Sequence, residues 1–72
     1  MYQLDRYGKH IVRLETYKSA NNNGFFIAKI EALPKIGLKT PDINEFKCDF
    51  KSLNEATKWL RKRWSEVKKE RT

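Results

Sequence analysis

The chain has 72 residues, of which 35% are charged, and its 16 lysines and arginines against nine aspartates and glutamates give a net charge of +7. A chain this short forms one small domain, with room for a single sheet-on-helix core and none for a deep enzyme cleft. No apolar run reaches the roughly 18 residues needed to cross a membrane, and the polar first ten residues lack the apolar stretch of a signal peptide. The positive charge favours an anionic partner, such as nucleic acid, acidic lipid or an acidic protein.

The first half of the chain predicts a β-hairpin. Residues 1–10 read as a polar lead-in with Gly8 in a turn, and residues 10–19 read as a first strand rich in β-favouring Ile, Val, Thr and Tyr. The run from Ala20 to Gly24 contains three asparagines and ends in glycine, and both residue types tolerate the positive φ of tight turns. A second strand is predicted over residues 25–33, because Pro34 cannot donate a ladder hydrogen bond.

The second half predicts a loop, a third strand and a helix. The loop covers residues 35–44, and the strand covers residues 45–51, which alternate strictly in polarity. Ser52 and Glu55 have the spacing of a helix-capping box, so a helix is predicted over residues 53–69. Its apolar residues recur at helical spacing on one face, at Leu53, Ala56, Leu60, Trp64 and Val67. The predicted fold class is therefore α+β, a three-stranded antiparallel sheet (β-β-β-α) packed on one long C-terminal helix.

In this fold one face of the sheet is covered by the helix and the other is open. Alternation places Val12, Leu14, Phe46, Cys48 and Phe50 towards the helix. The candidate nucleic-acid-binding residues on the open face are Arg13, Lys29, Glu31, Lys47, Lys51 and Phe25. Mixed charges there are also typical of cross-strand ion pairs on a solvated surface. The apolar residues predicted beside them, Ile11, Phe25 and Ile27, instead indicate a contact surface.

The C-terminal helix carries much of the positive charge. Residues 53–72 contain seven basic and three acidic side chains. Such a run is often only a solvated helix face. It also offers candidate phosphate contacts, which are Lys58, Arg61, Lys62 and Arg63. The ring of Trp59 beside them could stack on a base.

Residues for catalysis or metal binding are scarce. Cys48 is the only cysteine and His10 the only histidine, which excludes an intramolecular disulfide and a zinc site of several Cys or His ligands. We expect Cys48 to be a small core residue and His10 to be exposed at the start of a strand. No glycine-rich phosphate-binding motif or nucleophile–base pair is present. The sequence thus predicts a cytoplasmic protein that is not an enzyme, with no cofactor, metal, membrane or small-molecule substrate.

Two short motifs resemble a family of DNA-binding domains. Gly24 to Ile30 resembles the "G-aromatic-x-A-x-I" second strand of the three-stranded domains in phage integrases and plant ethylene-response factors, and Phe50 to Leu60 resembles the "F-x-T-x-x-E-A-x-x-W-L" motif that begins their helix. The match covers roughly Ile11 to Val67. It implies duplex DNA as the ligand, in preference to RNA, with the open sheet face in the major groove. Arg13, Lys29 and Glu31 would then be contacts.

A second resemblance implies a protein partner instead. Phe26 to Pro34, followed later by Glu55 and Ala56, is similar to the "W-V-A-E-I-P-x-L-P-G … T-x-E-E-A" pattern of HicB-type antitoxin domains. The alternative function is therefore a protein-interaction domain, antitoxin-like or an accessory subunit, that uses the exposed face and edge of the sheet.

Overall fold

In a computed structural model, which describes residues 1–21 and 24–71, an antiparallel sheet packs on one C-terminal helix. The predicted α+β class is confirmed, but the prediction of three strands is wrong. The sheet has four strands in sequential order, followed by the helix: β1 (Tyr2–Tyr7), β2 (His10–Lys18), β3 (Phe26–Ala32), β4 (Asn44–Phe50) and α1 (Leu53–Glu70).

The additional strand, β1, occupies the stretch predicted to be a polar lead-in. Its pairing places Asp5 opposite Val12 and Leu4 opposite Arg13, so Asp5 points to the helix side and Leu4 points away. Because the inward positions of this strand are largely polar, its sequence lacks the alternating apolar residues that indicate a half-buried strand. Gly8, at φ 60°, forms the tight two-residue turn into β2, and the predicted turn at this residue is confirmed.

The hydrophobic core lies between the inner face of the sheet and α1. Val12 and Leu14 are buried as predicted, and Ile30 on β3 is fully buried beside them. The apolar stripe of α1 is confirmed at its four buried positions, Ala56, Leu60, Trp64 and Val67. Leu53, at the beginning of the stripe, is exposed.

A β-bulge in β4 changes which of its residues face the helix. Lys29 lies opposite Phe46, whereas Phe26 lies opposite Phe50, so β4 carries one more residue than β3 between these pairs. Phe46 therefore lies on the open face with 57% of its surface exposed, while Phe50 is only 8% exposed in the core. The prediction that Phe46 faces the helix is therefore wrong, the same prediction for Phe50 is confirmed, and Cys48, beside the bulge, is half-buried rather than a core residue.

The connections otherwise follow the predicted order. Asn22 and Asn23 of the predicted turn lie outside the described residues. Close to that turn, the Ser19 N–H donates to the Phe25 carbonyl at 2.9 Å. The long loop after β3 returns the chain to the sheet, because the Ala32 N–H donates to the Ile43 carbonyl at 2.9 Å.

The N-terminus of α1 is capped by a side chain. The hydroxyl oxygen of Ser52 accepts a hydrogen bond from the Glu55 N–H at 3.1 Å, as predicted. The Glu55 carboxylate accepts from the Lys51 N–H at 3.2 Å, one residue before the N–H that a capping box uses. Within residues 1–21 and 24–71, no helix is long and apolar enough to span a membrane.

Candidate nucleic-acid interface

The open face of the sheet brings together three of the predicted contact residues. Arg13 lies opposite Glu31 across β2 and β3, and Glu15 lies opposite Lys29. Residues directly opposite each other in an antiparallel pair share a face. Because Val12, Leu14, Ala28 and Ile30 fill the inner face, these four charged side chains lie on the outer one.

These side chains form a compact ion-pair network. Arg13 is paired with the Glu31 carboxylate through its terminal guanidinium nitrogen, and its Nε lies 4.0 Å from Glu15. Lys29 Nζ is 3.8 Å from the other oxygen of Glu31. All four side chains are half-buried, and ion pairs at a protein surface typically contribute only about 0–1 kcal/mol to stability. They do neutralise the two cations, so a base or a phosphate would have to displace Glu31 to reach them.

Apolar side chains surround this network. Five large hydrophobic residues are exposed on the same face: Tyr2, Leu4, Ile11, Tyr17 and Phe46. The predicted contact residue Phe25 is exposed next to the start of β3. Ile27, opposite Tyr17, is only 7% exposed but does not belong to the main core cluster. The open face is thus aromatic and aliphatic at its margins and ion-paired at its centre.

Two predicted contact residues do not lie on the open face. Lys47 is paired with Ala28 of the inner face, and its Nζ lies 5.3 Å from the centre of the Phe50 ring. Lys51 follows the end of β4 and belongs to the capped start of α1. Both predictions assumed that β4 alternates without interruption to residue 51. The bulge moves Lys47 to the inner face, and the strand ends at Phe50, before Lys51.

Three predicted phosphate contacts project together from α1. Lys58, Arg61 and Lys62 are exposed and lie on the side of the helix opposite its buried stripe. They occupy positions i, i+3 and i+4, which are neighbours on a helix surface. In the part of the chain that the structure describes, no carboxylate lies within ion-pair distance of any of the three. We call these three residues the basic stripe.

Arg63, predicted with them, has a structural role. Its Nε lies 2.7 Å from Glu45 of β4 and its Nη1 lies 3.2 Å from Glu70 of α1. The hydrogen bond to Glu45, and then the one to Glu70, raises the pKa of the Arg63 guanidinium above its ordinary value. The predicted stacking surface, Trp59, is also used internally, since its ring centre lies 5.7 Å from that of Phe50.

A polar contact that the sequence did not reveal joins β1 to α1. The indole Nε1–H of buried Trp64 donates to an Asp5 carboxylate oxygen at 2.7 Å. This hydrogen bond is the main reason that the pKa of Asp5 is lowered from its ordinary value, with a second contribution from the Arg6 N–H. Lys68 Nζ, 3.9 Å from the same carboxylate oxygen, adds a favourable charge. No local spacing links positions 5 and 64, so no pattern in the sequence could have indicated this pair.

The lone histidine is buried, which corrects the prediction of an exposed residue. His10 is 9% exposed, and its Nε2 has no hydrogen-bond partner among the described residues. It faces the helix side because it is paired with Tyr7, whose ring lies edge-on to Trp64. Within residues 1–21 and 24–71, no three His, Cys, Asp or Glu side chains are grouped so as to hold a metal ion.

No known protein family matches the chain, and neither the curated proteins nor the solved structures contain a significant match to it. Any assignment of function therefore depends on the geometry of the molecule itself. The described chain presents a cationic surface on α1 and an open sheet face with ion pairs at its centre and apolar side chains at its margins.

Proposed function

We propose that the protein is a non-catalytic nucleic-acid-binding module that holds duplex DNA mainly through phosphate contacts from the basic stripe. The observation that carries this proposal is that Lys58, Arg61 and Lys62 are exposed together on one helix face and form no ion pair within 4.0 Å in the described chain. Arg13, Lys29 and Arg63, by contrast, are paired with carboxylates. The basic stripe has no such partner in the described chain and therefore attracts external anions.

The spacing of the basic stripe suits a polyanion. Four residues of α-helix advance about 6 Å, and a DNA duplex presents one negative charge for every ~1.7 Å of its axis. Three cations on one helix face can therefore meet phosphates in many registers. Contacts of this kind position a protein on DNA without reading its sequence. The proposed activity is accordingly salt-sensitive and weakly selective for sequence.

The open face is a second possible DNA contact, as the integrase-like resemblance implies. Arg13 and Lys29 would have to exchange Glu31 for base edges in the major groove. Their loss would then cost about 1–3 kcal/mol of binding free energy for each base-specific contact. Because the two cations lie across the sheet from the basic stripe, variants can separate the two modes.

Fluorescence anisotropy with a labelled random duplex, at about 50 and 200 mM salt, tests the proposal. We expect the wild-type protein to bind at the lower salt and to lose orders of magnitude in affinity at the higher salt. Replacing Lys58, Arg61 and Lys62 by Gln should weaken binding. It should also reduce the slope of log K against log salt by up to about 2.7, or ~0.9 for each phosphate that the variant no longer neutralises.

The matched control is the double change Arg13→Gln and Lys29→Gln, which also removes cations from the surface. We expect it to leave the salt slope nearly unchanged. If the basic-stripe variant bound fully and the control bound weakly, the open face rather than the basic stripe would be the surface that contacts DNA. Failure of the wild-type protein to bind at the lower salt would rule out both modes.

A protein-interaction domain is the second candidate, and the exposed apolar margin of the open face favours it. Tyr17 and Phe46 are 39% and 57% exposed, on a face that no element of the described chain covers. In this case a partner would remain bound at high salt and would be released by Tyr17→Lys with Phe46→Lys. The basic-stripe variant is the control, since it should retain such a partner.

A further inference from the structure

The open face ends in a cleft beside the turn between β1 and β2. Its volume is about 510 Å³, within the roughly 300–1,000 Å³ typical of small-molecule sites. Three chain segments meet there: the end of β1, the start of β2 and the residues that follow β3. The side chains that matter below are Leu4, Arg6, Lys9, Ile11, Leu33 and Lys35. We call this concavity the turn cleft.

The cations of the turn cleft have no acidic partner. Across residues 1–21 and 24–71, no carboxylate lies within ion-pair distance of Arg6, Lys9 or Lys35. The Nζ of Lys35 donates to the backbone carbonyl of Lys9 at 3.3 Å, which holds its ammonium beside the turn and leaves further N–H donors. The turn cleft thus concentrates three positive charges, whereas the centre of the same face is neutralised.

Most of the remaining lining is apolar. Leu4 and Ile11 are 52% and 38% exposed on this face, and Leu33 and Pro34 also line the cleft. Apart from His10, whose pairing with Tyr7 directs its ring to the helix side, no lining side chain can accept a hydrogen bond. A ligand that fits has an anionic head, which accepts hydrogen bonds, and a body with few donors of its own.

We propose that the turn cleft binds a small amphiphilic anion, a carboxylate or phosphate monoester head on an aliphatic body. Arg6, Lys9 and Lys35 hold the head, and Leu4 and Ile11 cover the body. A free nucleotide fits less well, because the donors of its base would meet no side-chain acceptor. This site lies across the sheet from the basic stripe and does not depend on nucleic-acid binding.

The test is a titration of the ¹⁵N-labelled full chain with octanoate and with octyl phosphate, followed through the backbone amides of Gly8, Lys9 and Lys35. Both ligands should shift these amides, and the stronger of the two identifies the preferred head. Octanol supplies the body without the charge, and acetate or inorganic phosphate supplies the charge without the body. Each of these should bind at least about tenfold more weakly, because one class of contact is missing.

The variant Arg6→Gln, Lys9→Gln and Lys35→Gln should lose about tenfold or more in affinity, because it removes the charge-assisted hydrogen bonds to the head. The basic-stripe variant removes the same number of charges and should bind as the wild type does. Equal losses in the two variants would mean general charge attraction and would overturn the proposal. The proposal would also be overturned if octanol, acetate or inorganic phosphate bound as tightly as octanoate and octyl phosphate, or if neither amphiphile shifted the amides. Duplex binding by the variant Arg6→Gln, Lys9→Gln and Lys35→Gln is measured separately. Failure of the turn-cleft proposal can then be distinguished from failure of the nucleic-acid proposal.

Discussion

At the scale of single residues, the hydrogen bond from Trp64 to Asp5 ties the first strand to the helix. The indole is buried, so its N–H needs a partner, and the carboxylate of Asp5 lies 2.7 Å away. A charged acceptor makes this hydrogen bond stronger than a neutral one. The contact adds to the backbone pairing with β2 and fixes the inner side of β1 against the helix.

We expect Asp5→Ala to destabilise the protein by about 1–3 kcal/mol, because it leaves the buried indole N–H unsatisfied. Chemical denaturation followed by tryptophan fluorescence measures the change. Asp49→Ala, which removes an exposed carboxylate from β4, is the control and should change stability by no more than about 0.5 kcal/mol. Similar losses in both variants would argue against a special role for Asp5.

The same contact predicts a dependence on pH. The pKa of Asp5 is lower in the folded chain than its ordinary value of 3.8. The stabilisation is therefore complete above that ordinary value and is lost as the pH falls through the lower folded-state value. Denaturation midpoints measured between roughly pH 2 and 6 should show the wild type and Asp5→Ala converging towards the acid end. A constant difference over that range would contradict the assignment.

At the scale of secondary-structure elements, the cap of α1 is a local device with a measurable contribution. The Ser52 hydroxyl satisfies one of the N–H groups that the first turn of the helix leaves without a partner. We expect Ser52→Ala to cost about 1 kcal/mol in the free energy of unfolding. Ser65→Ala, on the exposed surface of the same helix, should be neutral or slightly stabilising because alanine has the higher helix propensity. A neutral Ser52→Ala would mean that the Glu55 contact to Lys51 is sufficient.

The bulge in β4 predicts unequal roles for two phenylalanines of one strand. Strict alternation would bury both, whereas the bulge places Phe46 outside and Phe50 in the core. Phe50→Ala should therefore destabilise by about 3–5 kcal/mol, as expected for a buried phenylalanine. Phe46→Ala should cost less than about 1 kcal/mol. Equal costs, measured by urea denaturation, would show that the strand alternates without a bulge.

At the scale of the whole molecule, the excess of positive charge works against compactness. A net charge of +7 on 72 residues generates self-repulsion that salt reduces. We expect the melting temperature to rise when salt is increased from about 10 to 200 mM. The basic-stripe variant, which lowers the charge from +7 to +4, should show a smaller rise. A fall with salt in the wild type would mean that the Arg13 and Arg63 ion pairs outweigh the repulsion.

At the same scale, the outward side of α1 and the open face of the sheet differ in charge and polarity. On the outward side of α1, Lys58, Arg61 and Lys62 form no ion pair in the described chain, whereas Arg13 and Lys29 at the centre of the open face are paired with Glu31 within an apolar margin. The proposed duplex contacts therefore lie on the helix, and the exposed apolar side chains lie on the sheet. A protein that used both could bind an anionic and an apolar partner at the same time.

The sequence by itself determined the features that depend on residues close together in the chain. The β2–β3 hairpin, the loop before β4, the Ser52 cap and the buried stripe of α1 all follow from local periodicity and turn chemistry. The outward position of Arg13 and Lys29 followed in the same way, because alternation within one strand is a local property.

Only the tertiary structure decided how distant residues pair. It paired β1 with β2 and joined it to α1 through Asp5 and Trp64, interrupted the alternation of β4 with a bulge, and paired Arg13, Lys29 and Arg63 with carboxylates. It also assembled the turn cleft from three separate segments. The physical reason is that ion pairs, buried donors and cavities depend on distances across the fold, and patterns within a short window of sequence do not contain those distances.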